Sequence, residues 1–161
     1  MIFIFFKVLH VVAVIVFLGN ITVGVFWKRW ADRTQDARII ANTIDGIIVA
    51  DRLFTIPGVI GLLIGGVGAA VAGGFSILGT GWILWSIILF IISGLAFGPL
   101  IRVQRLLSAT AHQAVEAGSM SWPLYRQFSG AWDVWGTIAL VAPLIAVVLM
   151  IAKPALPAFH H

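Results

Sequence analysis

Lys7 and His10 lie three residues apart at the start of an apolar run that continues to Trp27. Residues three apart share one face of an α-helix, so both side chains are predicted to point the same way, one turn apart. A neutral imidazole is a common metal ligand. His10 lies about two helical turns inside the outer end of this run, where a polar ring requires a partner. Lys7 and His10 therefore form one candidate site.

Haem b is the cofactor that this pair suits, because haem iron accepts a neutral histidine nitrogen and nearby cations can pair with haem propionates. His10 is the candidate metal ligand, and Lys7 is a candidate propionate partner. Met150 and Lys153 lie at the matching end of the last apolar run, where they would supply a thioether ligand and a second propionate partner. The alternative is structural: His10 hydrogen-bonds a neighbouring helix, and both lysines reach lipid headgroups.

Composition indicates an integral membrane protein. Of the 161 residues, 61% are hydrophobic and only 10% are charged, with a mean hydropathy of +1.09, which a soluble globular surface would not tolerate. The chain contains no cysteine, which excludes disulfides, thiolate metal sites and thiol chemistry. Its pI of about 10.4 does not indicate a nucleic-acid partner, because the basic residues form no stripe. We expect membrane lipids as its surroundings.

Four continuous apolar segments predict four membrane-spanning helices, at about residues 8–27, 53–75, 82–101 and 134–152. The continuous apolar character excludes a β-barrel, whose strands alternate apolar and polar residues. The predicted fold class is therefore all-α, an integral membrane four-helix bundle that forms a single domain over residues 1–159. The closing pair, His160 and His161, is interpreted as a purification-tag remnant and excluded from metal binding.

Basic residues predict the orientation of the bundle. The second connection carries no charge, and Lys7 and Lys153 are the only basic residues on its side. The positive-inside rule therefore places both termini on the non-cytoplasmic side of a bacterial inner membrane. Eight basic residues lie in or beside the first and third connections: Lys28, Arg29, Arg33, Arg38, Arg52, Arg102, Arg105 and Arg126.

The connections themselves contain helical patterns. Residues 37–52 place four isoleucines at helical spacing among charged residues, which predicts an interfacial helix before the second span. After the third span, good helix formers continue to Gly118, so this helix is predicted to project past the bilayer. His112 lies on that projection, too far from His10 to share its iron, and is interpreted as an exposed residue or as a binding or proton-transfer group.

Small and polar residues within the spans predict helix contacts. Small residues recur every four residues in the second span, in one row of Gly61, Gly65 and Ala69 and a second row of Gly68 and Ala72. This spacing indicates close helix packing or, alternatively, a smooth wall for a flat cofactor or lipid. Asn20 and Thr22 are interpreted as hydrogen-bonding partners of another helix. A further group is expected to form an ion cluster that locks the bundle or binds an anionic headgroup: Asp51, Arg52, Arg102 and Asp133.

Two resemblances add to this interpretation. The stretch K-V-L-H-V-V-A-V-I-V-F-L-G (residues 7–19) resembles the first span of haem-binding membrane proteins of the protoporphyrinogen oxidase J type, which implies a haem-linked histidine at His10. Nearly the whole chain resembles more closely a family of bacterial predicted four-span integral membrane proteins, through D-R-L-F-T-I-P-G-V (Asp51 to Val59) and M-I-A-K-P (Met150 to Pro154). This second resemblance implies the fold but no activity.

The leading hypothesis is a haem b protein of the bacterial inner membrane, active in redox chemistry or electron transfer with a lipophilic partner such as a quinone or a porphyrin. Catalytic residues are not assigned. A second hypothesis is a non-enzymatic protein that binds a lipid or a partner helix through the glycine-rich span. A third is a small-solute or metal transporter, which would need a continuous polar path. The sequence of one chain does not show such a path, and homo-oligomerisation is one way to create it.

Overall fold

The computed structural model describes residues 1–159, so the interpretation of His160 and His161 as a tag remnant lies outside the described residues. The described chain is helical throughout its length apart from short connections and the C-terminal segment. Its elements are α1 (Ile2–Thr34), α2 (Ala37–Ala50), a π-helical turn (Asp51–Thr55), α3 (Ile56–Ala72), α4 (Gly81–Ala117) and α5 (Trp122–Ala152).

Four helical units are long and apolar enough to cross a membrane: α1, the continuous unit Ala37–Ala72, α4 and α5. Each of the four predicted spans begins in one of these units, and the all-α, four-helix prediction is confirmed. Both termini lie at the end of the bundle that carries the α3–α4 connection, which we call the terminal end. The opposite end carries eight of the basic residues, including all seven arginines, and we call it the arginine-rich end.

Helix α2 is not the interfacial helix that its amphipathic pattern predicts. It runs without a break through the π-helical turn into α3. The residues at the two ends of the turn, Ala50 and Asp51 and then Thr55 and Ile56, all have right-handed helical φ and ψ angles. Its apolar face, formed by Ile40, Ala41 and Ile44, is fully buried against α1 and the extension of α4. Packing against that extension removes the isoleucines from contact with the membrane surface, so α2 lengthens the bundle instead.

The bundle consists of two helical hairpins joined at the arginine-rich end. Helix α1 packs along α3, α4 packs along α5, and α2 bridges the pairs by contacting both α1 and α4. One hydroxyl group reinforces the second hairpin: Ser93 donates to the carbonyl oxygen of Ala139 at 2.7 Å. The hydroxyl of Ser86 lies 3.3 Å from the carbonyl oxygen of Ala146, but its shorter contact, at 2.7 Å, is with the Trp82 carbonyl of its own helix. Such polar side-chain bonds between helices are typical of membrane bundles.

Glycines bring α1 and α3 into close contact. A Cβ atom at Gly65 would lie 2.6 Å from the backbone nitrogen of His10, and one at Gly61 would lie 3.2 Å from the Cβ of Ala13. Only glycine permits an approach this close at position 65. Of the two alternatives for the small residues, this geometry favours helix packing, and the partner is α1. The glycines at this contact include Gly61 and Gly65 of the first predicted row and Gly68 of the second, together with Gly58.

The C-terminal segment after α5 folds back over the terminal end. Helix α5 ends where Lys153 adopts left-handed geometry, with a φ of 46°. The backbone nitrogen of Phe159 then donates to the carbonyl oxygen of Leu78 at 3.2 Å, and Trp85 Nε1 donates to that of Pro157 at 3.1 Å. The segment therefore packs beside the connection between α3 and α4 and leaves Ser76 exposed.

Candidate functional site

His10 lies in the seam between α1 and α3, where its ring is partly buried. Its Nδ1 atom is 2.9 Å from the carbonyl oxygen of Leu62. A carbonyl can only accept, so Nδ1 donates and Nε2 of the neutral ring keeps its lone pair. A Cβ at Gly66 would lie 3.0 Å from Nδ1 and from Cε1, so this glycine makes room for the ring. The structural role foreseen for His10 is thus present, and Nε2 is the atom that remains available to a metal.

The other predicted haem contacts are divided between the two hairpins. Lys7 is exposed, with its Nζ 5.9 Å from the ring centroid of Phe3, and the Nζ of Lys153 lies 5.4 Å from that of Trp82. Met150 is partly buried on α5. The hydrogen bonds and ion pairs that join α1 to α5 lie at the arginine-rich end, and none of those described joins Met150 to His10.

Sequence position nevertheless gives His10 and Met150 a similar height in the bundle. Lys28 of α1 contacts Asp133 of α5, with 3.3 Å between Nζ and Oδ1. His10 lies 18 residues before Lys28, and Met150 lies 17 residues after Asp133 on the antiparallel helix. Residues 1–159 contain no group of three or more His, Asp or Glu side chains arranged to hold a metal ion. The haem contacts of His10, Lys7, Met150 and Lys153 stay predictions.

The ion cluster expected at the arginine-rich end does not form as predicted. Asp133 pairs with Lys28 instead of an arginine, and Asp51 bonds to neutral side chains. Arg52 and Arg102 are exposed, and neither pairs with a carboxylate in the described part of the chain. A guanidinium group is better solvated at the headgroup level than inside the bundle, which accounts for their outward placement.

Lys28 is the centre of the ion network that does form. It is completely buried, 3.0 Å from Asp32 and 3.3 Å from Asp133, and it donates to the hydroxyl group of Ser129. Its Nζ also lies 5.0 Å from the ring centroid of Trp132, within the range of a cation–π contact. Tyr125 extends the network by donating its phenolic hydroxyl to Asp32.

This network is not among the predicted sites, because in the sequence Lys28 groups with the basic residues that indicate topology. The signal that could have identified it is positional: Lys28 follows Ile21 by seven residues and precedes Ala31 by three, and all three are buried on one face of α1. A charged residue on an otherwise apolar face predicts a partner on the facing helix.

Asp51 begins the π-helical turn and is held by three neutral donors from three elements. Its Oδ1 accepts from Asn20 Nδ2 at 3.1 Å and from Thr55 Oγ1 at 2.9 Å, and its Oδ2 accepts from Gln104 Nε2 at 3.1 Å. Asn20 therefore bonds to another helical unit as predicted, whereas the hydroxyl of Thr22 returns to the Leu18 carbonyl of its own helix. The π-helical turn is a departure from regular helix that is frequent at functional sites.

A cavity of about 430 Å³ lies beside Asp51, between α1, α2, the π-helical turn, α4 and α5. Its wall is mainly apolar, with polar groups from Asn20, Thr43, Asp51 and Gln104. Trp27 and Phe54 line it and are 47% and 49% exposed, so the cavity reaches the outer surface of the bundle between α1 and the π-helical turn. Four of its lining residues are aromatic: Trp27, Phe54, Phe97 and Trp132.

His112 takes part in an exposed polar contact between α4 and α2. Its Nε2 lies 2.7 Å from Oδ2 of Asp45, and Ser108 donates to Oδ1 of the same carboxylate at 2.6 Å. Because the carboxylate lies between the serine and the histidine, His112 cannot act as a base on Ser108. This trio joins two helices at the arginine-rich end.

Comparison with curated proteins and comparison with solved structures gave no match. One family model, described as a predicted integral membrane protein (DUF2269), matches residues 4–154. The match spans all four membrane-crossing units described above, including Asp51 with its π-helical turn and the cavity beside it. The chain therefore belongs to the DUF2269 family of predicted integral membrane proteins.

Proposed function

We propose that the protein binds a small lipophilic molecule in the cavity beside Asp51. The observation that carries this proposal is the cavity itself, whose volume of about 430 Å³ falls in the range of small-molecule pockets. A mainly apolar wall with a few placed polar groups is the usual composition of such a pocket. Trp27 and Phe54 are exposed at its edge, so a ligand dissolved in the bilayer would enter from the side.

Packing arguments support a binding role over a purely structural one. Protein interiors are close-packed, so the inner part of this cavity lacks dispersion contacts unless a molecule enters it from the bilayer. The space persists because three of its lining residues are glycines, namely Gly24, Gly46 and Gly136. Larger apolar side chains at these positions would fill it and would stabilise the bundle if nothing had to bind there.

Copurification tests this proposal directly. A Cβ at Gly46 would meet no heavy atom within 4 Å, so Gly46→Leu introduces bulk at the cavity without forcing a backbone shift. Gly94→Leu is the matched control, because position 94 is equally open and does not line the cavity. Native mass spectrometry of protein released from lipid nanodiscs should show a retained small molecule in the wild type and in Gly94→Leu, and its loss in Gly46→Leu. The same adducts in all three proteins would refute the proposal.

Haem b binding at His10 is the second candidate function. The hydrogen bond from Nδ1 to Leu62 favours it, because a fixed donor at Nδ1 orients the ring and leaves Nε2 as a metal ligand. Lys7 and Lys153 would pair with the propionates, and Met150 would supply a thioether ligand. Bound haem would supply one-electron transfer, with a quinone or a porphyrin as the lipophilic partner.

Absorption spectra test the haem hypothesis. Purified protein, oxidised and then reduced with dithionite, should show a Soret band and sharpened reduced bands that disappear in His10→Ala. His112→Ala is the control, because that side chain is exposed and bonds to Asp45 at the far end of the bundle. A wild-type protein that stays colourless after reconstitution with haemin would contradict the hypothesis.

Orientation in a bacterial inner membrane is proposed from the arginine distribution, with both termini on the non-cytoplasmic side. Because the chain has no cysteine, single cysteines can be introduced without background. Ser76 lies in the exposed α3–α4 connection and Ser119 in the exposed α4–α5 connection. In intact spheroplasts a membrane-impermeant maleimide should label Ser76→Cys and spare Ser119→Cys. The reverse labelling would overturn this orientation.

A further inference from the structure

Asp51 is a carboxylate without a cationic partner. The described ion pairs involve Lys28 and His112, and neither contacts Asp51. No lysine or arginine lines the cavity, and the neighbouring Arg52 is exposed. A carboxylate placed within a membrane bundle is expected to pair with a positive charge or to mark a ligand path. For an ionised Asp51, the positive charge would therefore come from outside the described chain.

Counting acceptor sites shows where that charge would bind. An ionised carboxylate offers about four lone-pair sites, two on each oxygen. Oδ1 receives two donors, Asn20 and Thr55, whereas Oδ2 receives only Gln104. One acceptor site thus remains free on Oδ2, and Asp51 itself lines the cavity.

The rest of the cavity suits the same ligand chemistry. Aromatic faces attract cations through their ring quadrupoles, and four aromatic residues line this cavity. The side-chain amides of Asn20 and Gln104 are engaged with Asp51, so the cavity offers an acceptor to its ligand.

We propose that the ligand is a lipophilic organic cation, an alkylammonium or arylalkylammonium, whose N–H group donates to Oδ2 of Asp51 while its apolar body lies against the aromatic wall. This assignment rests on the proposed function, since it names the chemical class of the molecule that the cavity binds. It gives Asp51 the role of the charge that selects the ligand.

A pair of probes of nearly the same shape tests the assignment. 4-Phenylbutylamine is protonated at pH 7, as a lysine side chain is, whereas 4-phenylbutanol is neutral. Binding of each to the full chain in zwitterionic-lipid nanodiscs is measured by native mass spectrometry, with empty nanodiscs used to correct for partition. The wild type should bind the amine roughly 10- to 100-fold more tightly than the alcohol, as expected for a hydrogen bond to a charged group.

Variants locate the effect. Asp51→Asn should reduce that preference to within about threefold, and the matched variant Asp45→Asn should keep it, because Asp45 lies outside the cavity and bonds to Ser108 and His112. Gly46→Leu should weaken the binding of both probes to a similar extent. If the wild type binds amine and alcohol equally, the cation assignment falls and the cavity proposal stands, even if Asp51→Asn does not fold. If neither probe binds, and Gly46→Leu retains the same copurified small molecules as the wild type, the cavity proposal itself falls.

Discussion

Replacing Lys28 with methionine would leave two carboxylates at the arginine-rich end without their shared counter-charge. Lys28 is completely buried and contacts Asp32 at 3.0 Å and Asp133 at 3.3 Å. Removing one partner of a buried ion pair costs about 3–5 kcal/mol. The side chains of Asp32 and Asp133 are 25% and 43% exposed, so water can solvate both carboxylates once the lysine is gone. We therefore expect Lys28→Met to cost less than this range, about 2–3 kcal/mol. Methionine retains most of the buried aliphatic stem.

The measurement is reversible unfolding in mixed micelles of increasing SDS content, followed by tryptophan fluorescence. Because transmembrane helices persist in SDS, the change in free energy of unfolding reports the tertiary contacts. Lys7→Met is the matched control, since Lys7 is exposed and should change stability by less than about 0.5 kcal/mol. If Lys28→Met unfolds at the same SDS content as Lys7→Met, the network around Lys28 does not stabilise the bundle and the argument is refuted.

Three further substitutions test separate parts of the structure in the same assay. Gly65→Ala should destabilise the bundle by about 1–3 kcal/mol, because its Cβ would lie 2.6 Å from the His10 backbone nitrogen, whereas Gly94→Ala should be neutral or slightly stabilising. Asp36 accepts hydrogen bonds from the backbone amides of Arg38 and Ile39 in the first turn of α2. Asp36→Ala should therefore cost about 1 kcal/mol of stability and speed hydrogen exchange in that turn. Unchanged exchange would contradict a capping role. Thr55→Val should cost about 1–2 kcal/mol by removing one donor from a buried network, and no loss would show that the remaining donors suffice.

The membrane helices could be predicted because their cause is local. Lipid offers no hydrogen bonds to the backbone, so a long apolar run must satisfy itself as a helix wherever it lies in the fold. The extension of α4 to Ala117 could be predicted from a different local cause, the good helix formers that continue to Gly118. Boundaries were less exact: the second predicted span ended at residue 75, whereas α3 ends at Ala72.

The candidate site could be predicted only in part. His10 and Asn20 were identified because a polar side chain within an apolar run needs a partner, but neither Leu62 nor Asp51 could be named as that partner. The contact between Gln104 and Asp51 joins residues 53 positions apart, and only the packing of α2 on α4 brings them together. The cavity depends on five elements at once, so no local pattern marks it.

Composition and apolar run lengths alone determined that this chain is a four-helix membrane protein, since the bilayer imposes the same requirement on every span. Tertiary structure alone decided that α2 lengthens the bundle, that the glycines of α3 contact α1, and that Lys28 faces inward towards Asp32 and Asp133. The physical reason is that hydrocarbon does not specify which helix faces which. That choice depends on rotation and register between helices, which arise from side-chain packing and polar pairing across large sequence distances.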